Sequence, residues 1–226
     1  MKLILTCEHA SNALPEEFRS LFFEQKVRLL THEGFDIGAF DVYNGLKDLA
    51  FFSSYYPWSR LLIEVNRSLH HPQLFSNISK LLDKTTKNYL ISNYYHSYRN
   101  QLQQKIGEVI TTGEVVMHLS IHSFTPLFKG IIRDAEFGIL YDPGRRSEVL
   151  WAEDFKRELK VKFDHFKIRK NYPYLGKADG FTTHLRKMFP ENYLGIELEI
   201  NQKLFQKKDN SEYVISGLRS CLQSLI

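Results

Sequence analysis

The 226-residue sequence predicts an α/β fold, a single domain with a mixed, mostly parallel sheet layered by helices, and three observations carry that prediction. Short apolar, β-branched runs alternate along the chain with longer segments of helical spacing. The apolar runs end in polar or small residues, as strands do when they open into loops. A hydrophobic content of 43% with 14% aromatic residues, over this length, suffices for one sizeable core without a second domain.

Taken in order, residues 3–7 form a first strand and residues 40–50 a helix. Residues 60–65 read as a second strand because Leu61, Leu62, Ile63 and Val65 make a compact apolar run. A long helical pattern covers residues 89–110, followed by strands at 115–122 and 137–141. The Asp142-Pro143-Gly144-Arg145-Arg146 turn leads into a helix over 148–163, and a last strand at 193–200 precedes a helix over 211–225. No repeat or low-complexity tract interrupts this alternation.

The net charge of +4 and pI near 8.9 come from basic residues scattered among acidic ones, which argues against a nucleic-acid partner. Cys7 and Cys221 are too few for a disulfide framework and fit a reducing cytoplasm. Residues 1–7 are too short for a signal-peptide core, and no stretch is long enough to span a membrane.

In open α/β sheets the chemistry collects beyond the carboxyl ends of the strands. Four polar clusters stand at such ends: Glu8-His9-Ala10-Ser11-Asn12, Asn66-Arg67-Ser68, His122-Ser123, and the Glu197 and Glu199 pair. Alternation with period two puts both glutamates on one face, a costly arrangement in a buried strand unless a cation meets them. A hydrolytic zinc site needs neutral imidazoles, a carboxylate ligand, an open position for water and a further carboxylate as base. His9, His122 and Glu199 supply three of those parts.

The segment from Thr6 to Pro15 resembles the opening signature of the N-formylglutamate amidohydrolase family. The resemblance continues through His32-Glu33-Gly34-Phe35-Asp36-Ile37-Gly38-Ala39, Val65-Asn66-Arg67-Ser68-Leu69, Ser120-Ile121-His122-Ser123-Phe124-Thr125-Pro126, Gly138-Ile139-Leu140-Tyr141-Asp142, residues 171–180, and Gly195-Ile196-Glu197-Leu198-Glu199-Ile200. It runs in order over nearly the whole chain and implies a phosphorylase/hydrolase-like fold related to zinc carboxypeptidases, aspartoacylase-like deacylases and N-acetylmuramoyl-alanine amidases.

The resemblance implies one amidohydrolase domain over residues 1–226 that binds one zinc ion and a small acidic N-acyl amino acid. His9 and His122 then match zinc ligands. The carboxypeptidase position for the acidic ligand is occupied here by Asn12, a poor ligand, so the family pattern points to Asp36, with Glu8 as the alternative. Glu199 matches the general base, and Glu197 orients a ligand or receives the substrate amine. The Asn66-Arg67 pair is similar to the one that grips a free carboxylate in carboxypeptidases, and a guanidinium suits that task through two parallel hydrogen bonds. Arg133 or Arg146 is then left for a side-chain carboxylate. Thr183 falls where relatives carry a polar substrate contact, and residues 171–180 form a pocket wall. His70 and His71 read as exposed loop residues. The implied reaction is hydrolysis of N-formyl-L-glutamate to formate and L-glutamate. Another N-acyl amino acid, a peptidoglycan-like amide, or non-catalytic capture of an acidic ligand are the competing readings.

Overall fold

A computed structural model describes residues 1–226. In chain order its elements are β1 (Lys2–Cys7), a one-turn α1 (Lys26–Leu29), α2 (Ala39–Leu46), β2 (Phe52–Tyr55), α3 (Lys84–Leu90), α4 (Ser97–Thr111), β3 (Val116–Phe124), the hairpin β4 (Leu127–Phe128) and β5 (Ile131–Ile132), β6 (Phe137–Leu140), α5 (Arg146–Lys162), β7 (Ile168–Lys170), α6 (Phe181–Met188), β8 (Tyr193–Asn201) and α7 (Lys208–Gln223). Six strands form one sheet in the order β2-β1-β3-β8-β6-β7. Every neighbouring pair is parallel except β6 with β8, which is the mixed, mostly parallel sheet expected from the alternation.

The centre of the sheet is legible in its residues. All nine positions of β3 are buried, since a strand flanked by parallel neighbours and covered on both faces has no solvent side. On one face Leu3, Leu5, Cys7, Met117, Leu119, Ile121, Leu194, Ile196 and Leu198 pack against α2, α5 and α7 in a cluster of 30 buried residues. On the other, Ile4, Val116 and Tyr193 join α4, α6 and the buried loops in a cluster of 22. Fully burying one Leu or Ile side chain stabilises by roughly 1.5–3 kcal/mol, so these layers hold the sheet rigid beneath its loops.

The expected strand at 60–65 is instead a buried, irregular turn. Its apolar side chains do enter the second cluster, but its backbone groups find side chains and loop backbone rather than a neighbouring strand. Ser79 Oγ donates to the Leu61 carbonyl, Arg99 Nη1 donates to the Val65 carbonyl, and the Glu64 N–H donates to the Leu74 carbonyl. The helical pattern expected over 89–110 begins earlier, at Lys84, and passes through a π-helical turn at Ile91–His96 into α4.

Two glycines are required by geometry. Gly38 has φ +80°, in the left-handed region, and a Cβ there would lie 2.2 Å from the Phe205 ring; it turns the chain from Asp36 into α2. Gly138 lets the Tyr172 carbonyl press against β6, where a Cβ would lie 1.6 Å from that oxygen.

Candidate active site

β1, β3 and β8 all run in the same direction, so their carboxyl ends share one edge of the sheet. The chain passes from β1 to β2 on one side and to β3 on the other, and that reversal of strand order leaves a crevice at this edge. His9 follows β1, His122 lies near the end of β3, and Glu199 near the end of β8, where it is the direct register partner of His122. Ser120 pairs in the same way with Glu197. The polar side chains therefore climb one face of the sheet two residues at a time, as a strand's alternation requires.

Asp36 arrives from the loop before α2. Its N–H donates to the His9 carbonyl at 2.9 Å, which fixes the loop beside the end of β1. Its Oδ2 stands 3.3 Å from His9 Nδ1 and 3.0 Å from His122 Nδ1. The three buried side chains present ligand atoms all within 4.8 Å of one another. Ligands about 2.0–2.1 Å from a tetrahedral zinc lie about 3.3 Å apart, so two neutral imidazoles and a carboxylate at these separations fit a zinc donor set.

The opposite ring nitrogens are tied down. His9 Nε2 donates to Glu64 Oε1 at 2.7 Å. His122 Nε2 lies 2.9 Å from Ser120 Oγ, which in turn donates to Glu8, and Tyr98 also donates to Glu8 at 2.9 Å. Both Nδ1 atoms turn toward Asp36 Oδ2, where their N–H groups donate to the carboxylate and, against burial, Asp36 and Glu8 push the His122 pKa up. A metal ion there would take the place of those protons, with each Nε2 held from behind in the outer-shell arrangement that orients metal-ligating histidines. Glu8, the other candidate ligand, thus sits behind His122 rather than among the three converging atoms. Burial opposes its charge, yet His122 and Ser120 hold the carboxyl far below the usual range.

Arg60 and Glu64 belong to the site, and the sequence reading passed over both. Arg60 Nε donates to Glu64 Oε2 at 2.8 Å, and its Nη1 donates to Asp36 Oδ1 at 3.2 Å. One guanidinium therefore braces both the central carboxylate and the partner of His9. A signal was present: a carboxylate inside an apolar run must find a cation when buried, and Arg60 lies four residues before Glu64.

These groups surround a cavity of about 180 Å³, lined also by Asn66, Arg67, Glu197 and Glu199. Glu199 Oε2 is buried and has no hydrogen-bond partner. Burial pushes its carboxyl up to about 8; His122 opposes that rise, while Asp36 and Glu197 add to it. Glu197 accepts from Thr182 Oγ1. Arg67 Nη1 donates to the Asp179 carbonyl, leaving its other N–H groups free of protein acceptors, and Asn66 Oδ1 accepts the first N–H of α6 at 2.8 Å.

Two expected substrate contacts stand elsewhere. Thr183 does not line the cavity: its hydroxyl donates to the Ala178 carbonyl at 2.7 Å, because it lies on the side of α6 that faces the wall loop. Its neighbour Thr182, also outside the lining, is the one bonded to a lining residue, Glu197. Arg133 is also outside the lining, stacked 4.4 Å from the Phe128 ring and 5.2 Å from Tyr174, which does line it. Arg146 is exposed on the first turn of α5, His70 is an exposed loop residue, and His71 is a half-buried one. The wall of residues 171–180 is as expected, with Tyr174, Leu175, Ala178 and Asp179 facing the cavity. Arg186, paired at 2.8 Å with the buried Glu148, anchors it by donating to the Gly176 carbonyl.

A sequence profile described as N-formylglutamate amidohydrolase matches residues 1–206. Among solved structures, the chain is similar to a gene product of Agrobacterium tumefaciens, with a TM-score of 0.80 and 25% identity, over 99% of this chain and 91% of that one. It shares its fold with the N-formylglutamate amidohydrolase of Ralstonia eutropha, with a TM-score of 0.76 and 16% identity, over 100% of this chain and 92% of that one. No curated protein sequence matches at a significant level.

Proposed function

This chain belongs to the N-formylglutamate amidohydrolase family, and on that premise we propose that residues 1–226 act as one metal-dependent domain hydrolysing the amide of an N-acyl amino acid, N-formyl-L-glutamate first among them. The observation that carries the reading is the convergence of His9, Asp36 and His122 beside a buried glutamate that lines the same cavity and has an unpartnered oxygen. A zinc ion held by those three residues would polarise the amide carbonyl and lower the pKa of its water to about 7.

With a zinc ion held beside it to favour its ionised form, Glu199 would accept the proton of the attacking water and return it to the nitrogen of the departing amine. Glu64 on one side, and Ser120 with Glu8 on the other, keep both Nδ1 atoms turned inward. Arg67 takes the substrate's α-carboxylate with the N–H groups it has left, and Asn66 stands beside it. Glu197, steadied by Thr182, receives the amine released as the bond breaks. Arg133 acts on the cavity through Tyr174, and Thr183 through the wall loop. No helix is long and apolar enough to cross a membrane, and two buried free thiols suit a reducing cytoplasm.

The test is formate release from N-formyl-L-glutamate by purified protein, before and after chelation and after zinc is restored. Activity lost with the metal and regained with it is expected; turnover indifferent to chelator rejects the metal, and no turnover of any N-acyl amino acid rejects the hydrolase.

A further inference from the structure

A second cavity, of about 580 Å³, adjoins the first and shares with it only Arg60 and Tyr174. Arg67, Glu197 and Glu199 line the first alone, and Arg28, His32 and Lys80 line the second alone. Small-molecule sites usually begin at roughly 300 Å³, so the first cavity is smaller than a typical site and the second falls within the range.

The orientation of a substrate follows from amide chemistry. An α-carboxylate on Arg67 and an amide carbonyl at His9, Asp36 and His122 direct the acyl carbon away from Arg67, since the acyl group and the α-carbon lie at opposite ends of the amide. A formyl group would end there. The second cavity meets the first at Arg60, which is bonded to Asp36, and not at Arg67, which lines the first alone.

Its charge is unbalanced in one direction. Each carboxylate lining it is already matched: Glu33 pairs with Arg28 at 2.6 Å, and Glu64 with Arg60 at 2.8 Å. Lys80 has no carboxylate within ion-pair distance, and the His32 ring makes only an edge contact with Phe128. Phe75, Phe128 and Tyr174 supply apolar wall between these polar groups.

We propose that the second cavity is an acyl subsite, for an N-acyl group longer than formyl that ends in a carboxylate, received by Lys80 and His32. The proposal rests on the hydrolase reading above for the placement of the amide. It extends the substrate class to N-acyl amino acids whose acyl part is itself a dicarboxylic half-acid.

Calorimetry on zinc-supplemented Glu199→Gln protein tests it, with N-formyl-, N-pentanoyl- and N-succinyl-L-glutamate as probes. The succinyl compound should bind about tenfold or more tighter than the formyl one, the value of one charge-assisted hydrogen bond. Adding Lys80→Glu should erase that preference and leave the formyl compound within about twofold, since it does not reach Lys80. Equal binding of all three probes overturns the subsite. Pentanoyl binding as tight as succinyl overturns its anionic character. A Lys80→Glu penalty shared by the formyl compound overturns the orientation, because the cavity then holds the glutamate side chain. Turnover of the same panel by unmodified protein separates the two readings: no hydrolysis of any member rejects the hydrolase, while the calorimetric comparison still decides the subsite.

Discussion

The two faces of the central sheet are built from the same strands and do opposite things. Toward α2, α5 and α7, positions 117, 119 and 121 of β3 and 194, 196 and 198 of β8 are all apolar and buried. Toward α4 and α6, the intervening positions are His118, Ser120 and His122 on β3, with Glu197 and Glu199 on β8. Burial is shared, but only the second face carries groups that change charge. The difference shows that the apolar face supplies the rigidity that holds ionisable groups close together on the other, where each either finds a partner or, like Glu199, has its pKa shifted by burial.

The comparison breaks most decisively at Glu199. Glu199→Gln should cut kcat by about 10²–10⁴, the usual worth of general acid–base catalysis, with zinc content by mass spectrometry unchanged. Retained turnover would remove the base from the polar face. The reciprocal change, Leu119→Ala on the apolar face, should destabilise by about 2–5 kcal/mol in chemical denaturation while the folded fraction keeps its kcat. A large fall in kcat with little loss of stability would mean the faces are not divided as described.

His118 tests whether buried polarity on the active face is held neutral. Burial depresses its pKa to about 4, below the 6.5 of an unfolded histidine, while Glu8 opposes that fall. Between those values the unfolded chain binds the extra proton, so stability is fully present above about pH 6.5 and is lost as pH falls toward 4. The loss is at most about 3–4 kcal/mol. Denaturation curves across this window should be steeper in pH for the native protein than for His118→Gln; identical slopes would show that His118 titrates normally. The smallest effect is expected at Glu64→Gln, a partner of His9 and not one of the three converging groups. It should weaken zinc binding by about 10–100-fold with secondary structure intact.

Most of the sheet was legible because central strands announce themselves: β1, β3, β6 and β8 are apolar runs bounded by polar residues, and all four appear within about two residues of expectation. The edge strands were not. Phe52–Tyr55 carries two serines and is half-exposed, and Ile168–Lys170 is three residues long, so neither has the pattern of a buried strand. Residues 60–65 misled for the converse reason, since composition reports burial and not the partner of each carbonyl. In the site, His9, His122, Glu197 and Glu199 followed from strand ends and Asp36 from motif resemblance. Arg60 and Ser120 act by touching other side chains: the spacing of Arg60 from Glu64 was a local signal, but its contact with Asp36 across 24 residues, and that of Ser120 beneath a histidine on its own strand, left none.

The register of β3 against its neighbours has an evolutionary consequence. Leu119 pairs with Ile196 and His122 with Glu199, in a strand where both parities are fully committed. Inserting or deleting one residue there would exchange the faces, carrying imidazoles into the apolar layer and leucines into the crevice. Length changes in β3 are therefore lethal to folding and chemistry together, whereas the wall loop and the β4–β5 hairpin can lengthen or shorten without that penalty. Divergence in what such a chain accepts as substrate should accordingly be written in insertions at the rim, over strands whose lengths stay fixed.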